Sequence, residues 1–120
     1  MSKTQPIPRP VNQHSAYHAH VYFDAETLEF AASLCRQAGE RFQLEVGRVH
    51  QRPVGPHPRW SCQIKFNQDE FEQLVPWLEQ HRQGLTVLIH ASTGNDLEDH
   101  TTYAYWLGDP VELKLAMFGG

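Results

Sequence analysis

Histidine is the residue type in this 120-residue chain with most to offer chemically: eight are present, against two cysteines and two methionines. Imidazole is the commonest metal ligand and titrates nearest neutral pH. His18 and His20 alternate within Tyr17-His18-Ala19-His20-Val21-Tyr22-Phe23, His57 sits in Gly55-Pro56-His57-Pro58, and His90 ends the mostly apolar run Leu85–His90. Neutral imidazoles bind Fe(II), Zn or Cu. Three of them, or two with a carboxylate, leave positions free for water, dioxygen or a chelating substrate. Candidate carboxylates follow at Asp96, Glu98 and Asp99, with His100 directly behind them. Arg59 and Arg48 are candidates for neutralising a substrate carboxylate.

The elements that must position these groups follow from periodicity. Residues 17–23 alternate, with Ala19, Val21 and Phe23 on one face and His18, His20 and Tyr22 on the other. Asp24 reads as an N-cap for a helix over about 24–38 that carries Leu28, Ala31, Leu34, Cys35 and Ala38, with Gly39 as its terminator. A second strand holds Phe42, Leu44 and Val46, with Gly47 to His50 as its candidate continuation. A stiff three-proline connection follows over 51–58, then a third strand with Trp60, Cys62, Ile64 and Phe66 inward. Asn67 and Glu70 form a capping box for a second helix, in which Pro76 predicts a kink or break. Leu85–His90 makes the fourth strand. The tail, 91–120, reads as a polar loop, an aromatic segment and a turn or helix start at Asp109-Pro110.

The order βαββαβ is the ferredoxin-like motif, an α+β fold with an antiparallel sheet and two helices on one face. Residues 1–14, polar and proline-rich, form an expected flexible arm, and 15–120 a single domain. The sheet's open face then needs cover from a second subunit or from the C-terminal tail.

Strand parity sorts the histidines. Strands 1 and 3 are central, and strand 4 pairs with strand 1. His18, His20 and His90, with His57 in register if strand 3 extends backward, converge on the open face. A His-x-His alone reads as two polar residues on a wet face; convergence from separate segments is what makes a metal site. His14 reads as solvated and His81 as a complement to a helix dipole, while His50 is either surface or site rim. Tyr103, Tyr105 and Trp106 read as core or interface cover.

A formal charge of −4 argues against nucleic acid, which needs a basic face. No window approaches the roughly 18 apolar residues of a membrane span. The N-terminus has no apolar core of a secretory signal. Cys35 and Cys62 read as reduced core thiols. The expectation is a soluble cytoplasmic protein.

The motifs Tyr17–Phe23, Gly55-Pro56-His57-Pro58, Leu88-Ile89-His90 and Thr93–Thr101, running into Ala104–Gly108, resemble the DOPA 4,5-dioxygenase family over about residues 16–110. This chain has Ala91 where the family has a proline. The resemblance implies a ferredoxin-like, often dimeric, non-haem Fe(II) extradiol dioxygenase that opens a catechol ring such as that of DOPA with dioxygen. Zinc or nickel can take the iron's place. It implies that His18, His20, His57 and His90 serve the metal, with one of the imidazoles moving protons. His18, His100 and Arg59 are the catalytic candidates, His100 acting behind the ligands or ordering the loop. The expected partners are a catechol-type small molecule, dioxygen and a second copy of the chain. The competing reading is a non-catalytic dimer whose histidine face binds a metal or small ligand.

Overall fold

The computed structural model describes residues 11–118. Five strands form one sheet in the order β2-β3-β1-β4-β5, in which all neighbours are antiparallel. They are β1 (Ala16–Phe23), β2 (Glu45–His50), β3 (Trp60–Asn67), β4 (Val87–Ala91) and β5 (Ala104–Leu107). The helices are α1 (Leu28–Phe42), α2 (Gln68–His81) and the single turn α3 (Asp96–Asp99), followed by a 3-10 turn at Leu115–Phe118. The first four strands and two long helices reproduce the expected α+β ferredoxin-like arrangement, with β1 and β3 central.

Alternation decides which face is which. Ala19, Val21 and Phe23 of β1, Cys62, Ile64 and Phe66 of β3, and Val87 and Ile89 of β4 join Leu34, Cys35 and Ala38 of α1 and Leu74 and Leu78 of α2 in one core. Burying each large side chain contributes about 1.5–3 kcal/mol, so a one-residue slip of register would be prohibitive. That penalty also fixes the residues of opposite parity on the second face. Cys35 and Cys62 are free, buried thiols across the α1–β3 contact, as expected.

Local differences from the sequence reading have identifiable causes. Asp24 caps a turn rather than the helix itself: its Oδ1 accepts from the backbone of Glu26 and Thr27 at 3.0 Å, and α1 begins four residues later. Gly39 does not end α1. The helix continues to Phe42 and closes on left-handed Gln43, while Gly39 lets β2 approach. A Cβ at Gly39 would lie 2.7 Å from Val46 Cγ2 and 3.3 Å from the Leu44 carbonyl. Pro76 does not break α2, which runs through it from Gln68 to His81. It is exposed, as is Glu72, whose carbonyl loses its helical donor and can be hydrated instead. The capping box of Asn67 and Glu70 forms as expected.

The tail contributes the unexpected strand β5 and helix α3. Residues 1–10 of the expected arm lie outside the described residues. Beyond them the chain folds back, since the backbone N–H groups of Gln13 and His14 both donate to the Tyr17 hydroxyl at 2.8 Å. His14, expected in solvent, is half-buried with its ring 4.4 Å from that of Tyr103. On the second face the tail supplies part of the cover: Lys114 N–H donates to Pro56 O at 2.8 Å, and Phe118 stacks on His100 at 4.8 Å.

Gly39→Ala sets a helix-propensity gain of about 1 kcal/mol against an overpacking cost of about 1–3 kcal/mol. Net destabilisation of about 1 kcal/mol is expected in a urea melt. A raised midpoint would contradict the close-approach role.

Candidate metal centre

The register carries the site. On the second face, one cross-strand row runs Lys65–His18–His90 and the next Gln63–His20–Leu88. His18, His20 and His90 therefore come from two neighbouring strands at adjacent rungs, although up to 72 residues separate them in sequence. A ring nitrogen from each lies within 4.8 Å of those of the other two, an arrangement that could hold a metal ion. His20 and His90 are buried and His18 half-buried.

His57 reaches the same place differently. β3 does not extend back to it. The β2–β3 ladder ends at the pair His50–Ser61, and the proline-rich connection turns at Gly55, whose φ of +56° suits glycine, with His57 N–H donating to Val54 O at 3.0 Å. The turn lowers His57 onto the sheet with its ring 4.1 Å from that of His20. Its Nδ1 is 2.7 Å from the Tyr22 hydroxyl. His100 follows α3, donates Nδ1–H to Asp96 O at 2.8 Å, and places its ring 4.2 Å from that of His90. His50 is at the rim. Six of the eight histidines thus line one cavity of about 270 Å³.

Tautomers follow from the partners. The His90 Nδ1 lies 2.7 Å from the Ala91 carbonyl, which can only accept, so Nδ1 carries the proton and Nε2 presents a lone pair. That is the usual outer contact of a ligating histidine. His20 Nε2 lies 3.0 Å from His90 Nε2. Two nitrogens each about 2.1 Å from one ion can stand this far apart, so the spacing is compatible with both binding the same metal. The donor set therefore fits a divalent transition metal.

Other candidates fall elsewhere. Asp99 is buried, but its two oxygens accept from Thr93 N–H and Thr93 Oγ1 at 2.8 and 2.7 Å, so it orders the loop. Asp96 lines the cavity, and Glu98 turns toward Tyr103; neither joins the three-histidine group. Arg59 and Arg48 are exposed and absent from the cavity wall; Arg59 lies towards Asp24 and Tyr22 instead. His81 donates Nδ1–H to Trp77 O at the end of α2, away from the site. Tyr22 and Phe118 received no role from the sequence. Tyr22 shares the parity of His18 and His20, a signal that was available. Phe118 had none, because only the folded tail brings it to the cavity.

Fold and site together define a ferredoxin-like protein with a three-histidine centre on its sheet. The sequence pattern of the Dopa 4,5-dioxygenase family matches residues 17–117, and this chain belongs to that family. It is 31% identical over 109 residues to the DOPA 4,5-dioxygenase of Amanita muscaria, covering 83% of this chain and 48% of that protein, about half its length. An uncharacterised 21.2 kDa protein of Botryotinia fuckeliana is 28% identical over 95% of this chain and 68% of its own length. The crystal structure of a putative dioxygenase from Nostoc punctiforme superposes with a TM-score of 0.82 at 40% identity, covering 85% of this chain and 89% of that one. No helix among the described residues is long and apolar enough to cross a membrane.

Burial, then the neighbouring imidazoles, hold His20 well below the ordinary histidine range. Burial likewise lowers His90 to about 3, opposed in part by the Ala91 carbonyl, and His57 to about 4. These imidazoles are neutral at pH 7, the form that ligates. Their folded-state values lie below the unfolded value near 6.5, so the unfolded chain binds more protons below that pH. Stability is then full above about pH 6.5 and falls towards pH 4, at up to about 1.4 kcal/mol per pH unit for each group. Urea melts of metal-free protein between pH 7 and 4.5 should show this decline, with a shallower slope in His90→Gln. A flat profile would contradict the buried neutral cluster.

Proposed function

We propose that this protein is a non-haem Fe(II) extradiol dioxygenase that opens the ring of a catechol such as DOPA. The observation carrying the proposal is the 3.0 Å Nε2–Nε2 approach of His20 and His90, with His18 in reach, at the floor of a cavity large enough for a single aromatic ring. The name of the Amanita muscaria relative supports the catechol class. In such a reaction both atoms of dioxygen enter the product and the carbon–carbon bond beside the two hydroxyls breaks. Bound ferrous iron supplies the redox chemistry that lets dioxygen react with an aromatic ring.

The chain's own residues supply ligation, proton handling and enclosure. His18, His20 and His90 would hold the ion. His57 is the general base: burial keeps it neutral, and its Nε2 can take the catechol proton while Nδ1–H donates to the Tyr22 oxygen. With the Tyr22 hydroxyl donating instead, Nε2 carries the proton and His57 acts as the acid. Burial pushes the Tyr22 hydroxyl upward, so it remains protonated and able to serve either arrangement. His100, backed by Phe118, walls the cavity on the side of His90. A homodimer and a cytoplasmic site of action belong to the same proposal.

Anaerobic loading with Fe(II), followed by DOPA or caffeate and air, should yield a yellow ring-opened chromophore. His18→Ala, His20→Ala and His90→Ala should lose iron and activity together, whereas His57→Gln should retain iron while kcat drops about 10²-fold or more. Tight metal binding with no chromophore or oxygen uptake across a panel of catechols would favour the non-catalytic ligand-binding reading.

A further inference from the structure

Among the described residues, the wall of the histidine cavity contains no arginine or lysine, and its two carboxylates are Asp96 and Asp99. A substrate carrying an anionic side chain would find no lysine or arginine among these residues. A second groove, about 370 Å³ in volume, adjoins the cavity and shares His18 as a common wall. Among the described residues, Lys65 is its one lysine or arginine. The β1–β3 register sets Lys65 directly opposite His18, and the same row continues to His90. Adjacent strands lie about 4.8 Å apart, so the lysine stem starts one strand away from His18 and His20 and two strands away from His90.

The remaining groups of this groove leave Lys65 available. Its ion pair with Glu45 spans 3.7 Å, and both side chains are at least half exposed. Such a pair contributes at most about 1 kcal/mol and exchanges readily with a ligand. Glu70 keeps its charge but is held by the capping box of α2, its Oε1 accepting from Asn67 N–H at 2.8 Å, and Lys65 pairs with Glu45 instead. Arg59 and Arg48, which sequence spacing nominated for substrate charge, are absent from both walls.

We propose that Lys65 is the specificity-determining residue of this site, pairing with a carboxylate on the side chain of a ring seated against His18, His20 and His90. The proposal rests on the reading of the site as one that takes catechols. It assigns the ring to the histidine cavity and the acidic tail to the adjoining groove.

The test compares Fe(II)-loaded wild type, Lys65→Met and Lys65→Glu on dihydrocaffeate, the uncharged methylcatechol and cationic dopamine. In Lys65→Met the kcat/KM ratio of dihydrocaffeate to methylcatechol should fall about tenfold, mostly through KM, as for a lost charge-assisted contact. Lys65→Glu should shift preference towards dopamine. A second arm needs no turnover: phenylpropionate titrated into metal-free, nitrogen-15-labelled protein should move the amide signals of His18 and Lys65, and Lys65→Met should abolish the shifts. Unchanged ratios, or the same shifts in Lys65→Met, would overturn the assignment. If no catechol is opened by any variant, the dioxygenase reading falls, and the titration decides the role of Lys65 by itself.

Discussion

Three uncharged imidazoles gathered on a partly covered sheet face are the constraint on which the rest of this structure depends. Each must be kept neutral, oriented and within a few ångströms of the others, in a place where an unpaired polar group is costly. Cross-strand register does most of this, because His18 and His90 are directly paired and His20 stands at the next rung. The register in turn is enforced by the opposite face, where the core against α1 and α2 admits only one parity. The site is thus a consequence of where the hydrophobic residues go.

Around that floor the loops act as walls and as hydrogen-bond partners. The Ala91 carbonyl fixes the His90 tautomer, the Tyr22 hydroxyl holds His57, and Asp99 orders the loop that carries His100. These contacts have one feature in common: each occupies the nitrogen or oxygen that would otherwise compete for the cavity. The result separates roles among histidines of one type. Three face each other closely enough to share an ion, while His57 stays beside them with a hydroxyl partner that can donate or accept.

Much of this was legible in the sequence because strand parity is a local property. Alternation in 17–23 and 60–66 gave the two faces, and the order of elements gave the neighbours of β1. What was hidden depended on contacts between distant segments. Gly39 looked like a helix terminator, yet its role is to admit Val46 of β2, which no local pattern reports. Strand β5 is only four residues long and exists through pairing with β4. A backward extension of β3 would bring His57 into register, whereas a turn at Gly55 delivers it. Alternation puts Arg59 on the parity of Ser61 and Gln63, but it precedes β3, is exposed and does not line the cavity.

The central claim is that His18, His20 and His90 together form a metal centre. An anomalous-scattering map from a crystal of the Fe(II)-loaded protein tests it most directly. One iron peak bonded to a ring nitrogen of each of these histidines is expected, with His57 outside bonding distance. A peak held by His57 and His100, or by the Asp96 or Asp99 carboxylate, would contradict it.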